Sequence, residues 1–177
     1  MKYNRQMYCD KTMGMAEIIG FWRQTEKHGY MSQWYKSPMI IDGVEYTCCE
    51  QYMMAEKARL FNDLSILDEI LQCTEPKRMK ELGRAVKGFD TCKWEEHKYN
   101  IVFKGNLNKF TQNKKLAEKL LETGDTLLVE ASPYDRVWGI GMGVSNASFR
   151  QPSKWRGSNL LGFAIMEVRD IIKEQTV

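Results

Sequence analysis

The sequence has 177 residues, of which 43% are hydrophobic and 28% charged, and this length and composition fit one globular domain. A chain of this size buries roughly two-thirds of the surface that its unfolded form exposes, so it needs neither disulfides nor metal to fold. The 26 basic residues only slightly exceed the 23 acidic ones, which excludes nucleic-acid binding driven by overall charge alone. We predict a single domain over residues 1–177, with its core at about residues 20–172.

The five cysteines indicate a reducing compartment, because they are odd in number and contain no Cys-x-x-Cys pair. With two histidines in the chain, a zinc site is not expected, and we predict neither a metal nor a cofactor. The first 20 residues mix charged with apolar residues, unlike a leader peptide, and no apolar run reaches the length of a membrane span. We therefore predict a cytoplasmic protein without a membrane partner, and the sequence leaves its oligomeric state open.

The first predicted elements are a hairpin and a helix. Two short strands flank a turn dipeptide: Met39–Ile41, Asp42-Gly43 and Val44–Tyr46. Thr47 and Glu50 have the spacing of a capping box, which predicts a helix that begins there and runs to about Phe61.

The rest of the chain predicts further helices and one strand. The helices start at Pro76, at Asp90 or Thr91, at Asn113 and at about Asn159, and a strand covers residues 126–130. Gly88 and Gly124 have the position of C′ glycines at helix ends, and Gly105 weakens the middle of its helix. About six helices with a few short strands predict an α+β fold that is mainly α-helical.

Glu50 and Lys57 are seven residues apart in a predicted helix, so they lie two turns apart on nearly the same face. A solvated polar stripe and a shared cleft are both compatible with this spacing. Burial beside Met53, Met54 and Phe61 would lower the pKa of the lysine, and a neutral amine is a competent nucleophile.

Two later segments combine glycines with aromatic and charged residues, as loops that carry sites often do. The first, residues 129–141, contains Glu130, Asp135 and Trp138, and its glycines do not have the GxGxxG spacing. The second, residues 155–162, opens the last helix, where backbone N–H groups and Arg156 favour a phosphate, although capping by Ser158 or Asn159 also explains it. Trp138 or Trp155 can stack on a flat base.

Taken together, these segments resemble the NADAR family, which is linked to NAD and ADP-ribose metabolism. The resemblance extends from about Gly20 to Ile172 and follows the family's motifs in order. These are Asp42-Gly43-Val44-Glu45-Tyr46, Glu50-Gln51-Tyr52, Lys57-Ala58, Leu82-Gly83-Arg84, Lys109-Phe110, Thr123-Gly124, Val129-Glu130-Ala131-Ser132-Pro133, Asp135, Trp138-Gly139-Ile140-Gly141 and Trp155-Arg156-Gly157-Ser158-Asn159-Leu160-Leu161-Gly162. Bacterial members include N-glycosidases that act on riboflavin-biosynthesis intermediates.

The resemblance implies roles for individual residues. The catalytic candidates are Lys57, Glu50 and Asp135. The substrate-binding candidates are Glu130, Trp138, Gly139, Trp155, Arg156, Gly157, Ser158 and Asn159. One departure precedes the hairpin, where the family usually has Ser-Asn-Phe and this chain has Ser32-Gln33-Trp34.

The implied reaction is cleavage of the bond between ribose C1′ and a nitrogen. In one route the riboside opens to an imine and neutral Lys57 displaces the nitrogen, leaving a Schiff base that water hydrolyses. Glu50 is then the nearest proton shuttle in helical phase, with Asp135 or Glu130 as alternatives. In the other route a carboxylate activates water directly and Lys57 positions phosphate or ribose.

Three functions remain open from the sequence. The modest net charge favours a small phosphorylated ribosyl substrate, a ribosylaminopyrimidine intermediate of riboflavin biosynthesis. ADP-ribosylated guanine, possible also within a nucleic acid, is the alternative, and a stripe of lysines (Lys104, Lys109, Lys114, Lys115, Lys119) would support it. The third is a non-catalytic module that binds ADP-ribose or NAD.

Overall fold

The hairpin predicted around Asp42 and Gly43 is present in the computed structural model, which describes residues 1–9 and 17–176. Residues 10–16 and residue 177, which the predicted domain includes, lie outside the described residues. The chain divides into two compact units. The first unit combines Met1–Ser32 with Lys114–Val177, and the second unit is the continuous segment Gln33–Asn113.

The second unit contains the hairpin and four helices. In chain order these are β2 (Met39–Ile41), β3 (Val44–Tyr46), α2 (Cys49–Leu60), α3 (Leu64–Gln72), α4 (Pro76–Ala85) and α5 (Thr91–Gln112). Positive φ angles at Asp42 (52°) and Gly43 (79°) give the tight turn that joins the two antiparallel strands. The predicted hairpin is therefore confirmed residue by residue.

Helix α2 lies at the centre of this unit, because it packs against α3, α4 and α5. Its buried residues cover most of its circumference, as expected of a helix with neighbours on several sides. Gly105 allows α5 to approach α2 closely, since a Cβ there would lie 2.8 Å from Cδ1 of Tyr52. The glycine that we expected to weaken α5 is thus its packing point, and the helix continues through it.

Two predicted helix boundaries in the second unit are wrong by a small margin. Helix α2 has Cys48 at its N-cap, so it begins one residue later than predicted from Thr47 as the cap. The N–H and the hydroxyl of Thr47 both donate to Oε1 of Gln51 (2.8 and 3.0 Å). Glu50 is therefore not a capping-box partner. Helix α4 ends at Ala85 with Val86 at its C-cap, so Gly88, whose φ is 66°, shapes the following turn instead. The predicted start of α5 is confirmed, because the Asp90 carboxylate accepts from the Lys93 N–H (2.7 Å).

The first unit is built on a parallel strand pair. Its elements are α1 (Gln6–Cys9), β1 (Ile18–Phe21), α6 (Lys114–Leu121), β4 (Leu127–Glu130) and α7 (Leu160–Thr176). Strand β1, which the sequence analysis did not predict, pairs with β4 so that Phe21 lies opposite Glu130. Helix α7 packs against both β4 and α6, and its buried side chains close the core of this unit.

These elements confirm the predicted α+β class with its excess of helix. Over residues 1–9 and 17–176 the structure has seven α-helices and two sheets of two strands each. No helix among the described residues combines the length and the apolar character needed to cross a bilayer.

Candidate functional site

The central helix α2 carries the predicted pair Glu50 and Lys57. Glu50 occupies its first turn with 3% of its surface exposed, and its N–H donates to the carbonyl of Gln33 (3.0 Å). Lys57 is half-buried in the last turn. A rise of 1.5 Å per residue separates the two Cα atoms by about 10.5 Å along the helix axis. The pair therefore shares a helix, but a direct proton exchange between them would require both side chains to bend toward each other.

The amine of Lys57 is held by the end of α4. Its Nζ donates to the carbonyl oxygen of Gly83 (2.7 Å), one of the last carbonyls of that helix, which have no partner within the helix. A side chain on residue 83 would prevent this approach, since its Cβ would lie 1.9 Å from Sδ of Met54 on α2. Close packing of α4 on α2 thus places the acceptor for Lys57.

Two aromatic rings lie close to the amine of Lys57. The Nζ of Lys57 lies 4.3 Å from the ring centroid of Phe89 and 5.6 Å from that of Trp94. Burial lowers the pKa of Lys57 below its usual value, and the nearby charge of Arg84 lowers it further. A larger fraction of this lysine is consequently neutral at a given pH than of a lysine in water, which is the property that a nucleophilic amine requires.

Phe89 and Trp94 lie next to Lys57, and the sequence analysis did not identify them as candidate site residues. Phe89 lies in the loop before α5 with 43% of its surface exposed, and Trp94 is in the first turn of that helix. Only the packing of three helices brings both rings to Lys57. The Gly88-Phe89-Asp90 stretch ahead of a helix cap was the available signal, because exposed aromatic residues in loops often contact ligands.

A second lysine of the same unit is buried completely. Lys109 has 0% of its surface exposed, and its Nζ lies 5.3 Å from the Phe110 ring and 5.7 Å from the Tyr35 ring. Burial lowers the pKa of Lys109 and raises that of the neighbouring Cys49 thiol to about 12. Lys109 therefore cannot contribute to a surface stripe of lysines that binds nucleic acid, and it is not a solvated lysine either.

The amide of Asn106 also belongs to this buried polar group. Its Nδ2 donates to Oε1 of Gln33 (3.0 Å), and the Cys49 thiol lies 3.9 Å from its Oδ1. Gln33, the departure from the family pattern, is thus bonded to α5 through its side chain and to α2 through its carbonyl.

In the first unit, the predicted acidic loop follows strand β4. The carboxylate oxygen Oδ1 of Asp135 accepts from the N–H groups of Val137 (2.9 Å), Trp138 (2.7 Å) and Gly139 (3.5 Å). The carbonyl of Asp135 accepts from Gly141 (2.9 Å), so this residue organises the whole turn. Trp138 is partly exposed within it.

Two glycines make this loop compact. A Cβ on Gly139 would lie 2.8 Å from the carbonyl oxygen of Glu130, and one on Gly157 would lie 2.2 Å from that of Gly139. The 129–141 loop and the segment before α7 are thus in backbone contact. Glu130, at the end of β4, is tied to the same place because its N–H donates to Oδ1 of Asn159 (2.9 Å).

The N–H groups that open α7 are already bonded to protein. Those of Ser158, Asn159, Leu160 and Leu161 donate to the carbonyls of Arg136, Gly139, Val137 and Trp138, at 3.0 to 3.3 Å. These amides are therefore not offered to a phosphate. The exposed side chains of Arg156 and Ser158 remain as the groups of this segment that an anion can reach.

Trp155 and Asn159 lie inside the first unit. Trp155 is 3% exposed and donates its indole N–H to the Phe149 carbonyl (2.8 Å), which leaves Trp138 as the better candidate for stacking on a base. Asn159 is fully buried with a φ of 56°, and its Nδ2 donates to the Leu128 carbonyl (2.9 Å). Both residues hold the loop and β4 in place.

The described residues contain no group of three or more His, Cys, Asp or Glu side chains arranged to hold a metal ion. The candidate residues instead form two sets. Glu50 and Lys57 belong to the second unit, and the 129–141 loop and the 155–162 segment belong to the first.

Known proteins resemble this chain over most of its length. It is 46% identical over 126 residues to N-glycosidase R617 of Acanthamoeba polyphaga mimivirus, an alignment that covers 71% of this chain and 74% of that protein. It is 29% identical over 153 residues to N-glycosidase YbiA of Escherichia coli (strain K12), covering 86% and 87%. The NMR structure of E. coli YbiA matches with a TM-score of 0.74 at 26% identity, over 93% of this chain and 89% of that one.

A longer relative is the riboflavin biosynthesis protein VVA0006 of Vibrio vulnificus (strain YJ016). It is 28% identical over 160 residues, which cover 90% of this chain but only 40% of that protein. The NADAR domain model matches residues 20–173. With this match, the mimivirus relative and the YbiA fold in agreement, the chain belongs to the NADAR family.

Proposed function

We propose that this NADAR-family enzyme, an N-glycosidase, cleaves the C1′–N bond of a phosphorylated ribosylaminopyrimidine through a Schiff base on Lys57. The observation that carries the proposal is the position of the Lys57 amine, bonded to a backbone carbonyl and covered by two aromatic rings. The relatives named N-glycosidase and riboflavin biosynthesis protein support the reaction class and the kind of substrate.

The covalent route begins with opening of the ribose ring. The exocyclic nitrogen of the riboside supplies electrons to C1′ while the ring oxygen O4′ takes a proton, which gives an iminium at C1′. Neutral Lys57 adds its Nζ to C1′, and one proton of the new ammonium passes to the departing nitrogen. That nitrogen leaves as the free amine of the base, and the C1′–Nζ Schiff base remains.

Hydrolysis then regenerates the enzyme. Water adds to C1′ of the Schiff base, and the resulting carbinolamine expels Nζ as the ribose phosphate leaves in its aldehyde form. Each proton transfer needs a carboxyl group or a water, and Asp135, Glu50 and Glu130 are the proposed shuttles. The half-buried amine and its lowered pKa favour the neutral form in which the first addition takes place.

This route restricts the substrate. The departing nitrogen must have a lone pair that it can donate to C1′, or its riboside cannot open to an iminium. A ribosylaminopyrimidine fulfils this condition, and so does a guanine that bears ADP-ribose on its exocyclic amino group. ADP-ribosylated guanine is therefore the second substrate to test, and a module that only binds ADP-ribose or NAD is distinguished by the absence of released base.

Substrate binding is proposed for the exposed groups of the first unit. We propose that Trp138, which is partly exposed, stacks on the base and that the exposed side chains of Arg156 and Ser158 contact phosphate. Gly139, Gly157, Trp155 and Asn159 would act indirectly, by fixing the loop that presents them. The five free cysteines support a reducing compartment, and we propose the cytoplasm.

Borohydride trapping tests the proposal directly. Incubation with a ribosylaminopyrimidine phosphate and borohydride should add the reduced ribose phosphate to the peptide that contains Lys57, as peptide mass mapping would reveal. Lys57→Arg should abolish the adduct, while the control Lys93→Arg, which changes an exposed lysine of the same unit, should retain it. Base release without any adduct at Lys57 would overturn the covalent route in favour of direct hydrolysis.

A further inference from the structure

Two aromatic side chains lie side by side at the carboxyl end of the parallel strand pair in the first unit. Trp22 directly follows β1, and Tyr134 lies in the loop that follows β4. Their ring centroids are 5.9 Å apart and the ring planes are tilted by 54°. Phe21 pairs with Glu130, and the carbonyl of Phe21 accepts from the N–H of Ala131 (2.8 Å). Because the two strands are parallel, the segments that follow them leave the sheet at the same end.

Tyr134 presents its ring to water. It is 87% exposed, the most exposed large hydrophobic residue of the described chain, whereas Trp22 beneath it is partly buried. Folding thus makes little use of the Tyr134 ring, although an aromatic ring is among the most valuable groups to bury. A ring left in this position remains available to a ligand.

The backbone around Tyr134 is held in place. Its N–H donates to Oγ of Ser132 (3.4 Å), and Asp135, the next residue, accepts the three loop N–H bonds described above. The backbone on both sides of Tyr134 is therefore held by hydrogen bonds, and a ligand that stacks on the ring would not have to order a flexible loop first.

An arginine adjoins the aromatic pair. The guanidinium carbon of Arg23 lies 4.5 Å from the Trp22 ring centroid, and the side chain is exposed. Stacking on an indole leaves the N–H groups along the edge of the guanidinium plane pointing outward, where they can form paired bonds to a phosphate. Arg136 adds a second exposed positive charge within the Tyr134 loop.

We propose that Tyr134, Trp22 and Arg23 form a nucleotide subsite in which Tyr134 stacks on the base, Trp22 supports the tyrosine ring, and Arg23 binds the attached phosphate. This inference rests on the proposed function and deepens it, because it assigns substrate recognition to residues outside the Trp138 and Arg156 set. The ligand class is a planar aromatic base joined to a phosphate. Neither a bare sugar phosphate nor an uncharged nucleoside engages all parts of the subsite.

Binding measurements with AMP, adenosine and ribose 5-phosphate separate these contributions. Tyr134→Ala should lower the affinity for AMP and for adenosine at least tenfold and leave the affinity for ribose 5-phosphate unchanged. Tyr134→Phe keeps the stacking face and should bind all three compounds with wild-type affinity. Arg23→Ala should weaken AMP and ribose 5-phosphate while sparing adenosine. Since Tyr134 is almost fully exposed, its substitution removes no core packing, and the unfolding temperature should confirm this.

The outcomes also separate this inference from the proposed function. An unchanged AMP affinity in Tyr134→Ala, or an equal loss for AMP and ribose 5-phosphate, overturns the subsite. In neither case is the Lys57 adduct affected. Conversely, a failure of borohydride trapping leaves the Tyr134 measurements able to support the subsite on their own.

Discussion

The Nζ of Lys57 lies 2.7 Å from the carbonyl oxygen of Gly83, and this bond exists because residue 83 has no side chain. Met54 of α2 occupies the space where a Cβ would lie, so the two helices are closer than an alanine would allow. The same close packing therefore serves the stability of the second unit and the position of the candidate nucleophile.

Gly83→Ala should destabilise the protein, although alanine is the better helix former by about 1 kcal/mol. A Cβ 1.9 Å from Sδ of Met54 forces a shift of α4 or of the methionine, and overpacking of this kind costs about 1–3 kcal/mol. Urea unfolding measures the change. Gly143→Ala is the matched control, because a Cβ on that glycine would extend into open space, and its effect should stay within about 0.5 kcal/mol.

A double-mutant cycle identifies the cause of this loss. Gly83→Ala should cost less in a Met54→Ala background, since the clashing side chain is then absent. If Gly83→Ala leaves the free energy of unfolding unchanged in both backgrounds, the close approach of α4 and α2 does not require a glycine at residue 83.

Phe89→Ala should move the pH dependence of the reaction to higher pH. The reactive form of Lys57 is neutral, so the rate rises with pH through the pKa of this lysine. Burial is the main cause that lowers this pKa, and removing the ring admits water and lets the pKa rise toward 10.5. Loss of the attraction between cation and ring acts in the opposite direction. Because Phe89 is 43% exposed, this attraction lies toward the lower end of the usual range of about 0.5–2 kcal/mol, and we expect the loss of burial to dominate.

Phe89→Leu is the control for this measurement, because leucine keeps the apolar cover and lacks the aromatic face. When kcat is measured from neutral pH to about pH 10, the pH range over which kcat rises should be close to that of the wild type. A kcat of Phe89→Ala that rises over the same pH range as the wild type would mean that Phe89 does not shield the amine.

Lys109→Met should remove a pH dependence of stability. The pKa of the buried Lys109 is lower in the folded chain than its value of 10.5 in the unfolded chain. Between these two values the unfolded chain binds more protons, so the free energy of unfolding of the wild type rises with pH there and falls as pH decreases through the folded pKa. Methionine is similar in length and uncharged, so the free energy of unfolding of Lys109→Met should change less with pH in this range.

Lys104→Met provides the comparison for Lys109→Met. Lys104 is 47% exposed in its side chain and pairs with Asp42 (2.7 Å), a contact of small energetic weight on the surface. Urea unfolding from about pH 7 to about pH 9.5 measures how the free energy of unfolding changes with pH. This change should be the same for Lys104→Met as for the wild type. An unchanged slope in Lys109→Met would show that the buried amine does not titrate differently in the two states.

Local sequence signals explain which parts of the fold could be predicted. Asp42 and Gly43 need positive φ angles and determine the hairpin on their own, and Asp90 caps α5 through its own carboxylate. Strand β1 has no such signal, because its partner β4 lies far along the chain, with Leu127 opposite Ile18, and only the fold brings them together.

In the candidate site too, some features could be predicted from the sequence and others arise only from the fold. Helical spacing and a resemblance were enough to select Lys57, but its acceptor on Gly83 and the covering rings come from α4 and from the start of α5. Of the two interpretations of the start of α7, a phosphate site on its backbone N–H groups is wrong for a related reason. The 129–141 loop folds back onto that end and supplies carbonyls to its amides, a contact that no sequence pattern marks.

Asp135→Asn separates the two roles that Asp135 can have. Its Oδ1 accepts three loop N–H bonds, and the amide oxygen of asparagine can accept the same bonds, so the loop and the unfolding temperature should be preserved. If the carboxylate transfers a proton, the variant should lose about 10²–10⁴-fold in kcat with little change in KM. Asp135→Ala removes the acceptor as well, so it should also lower the unfolding temperature and weaken substrate binding. A wild-type kcat in Asp135→Asn would remove this residue from the proton-transfer step, because only the charge has changed, and would leave it the role of holding Trp138 and Gly139 in position.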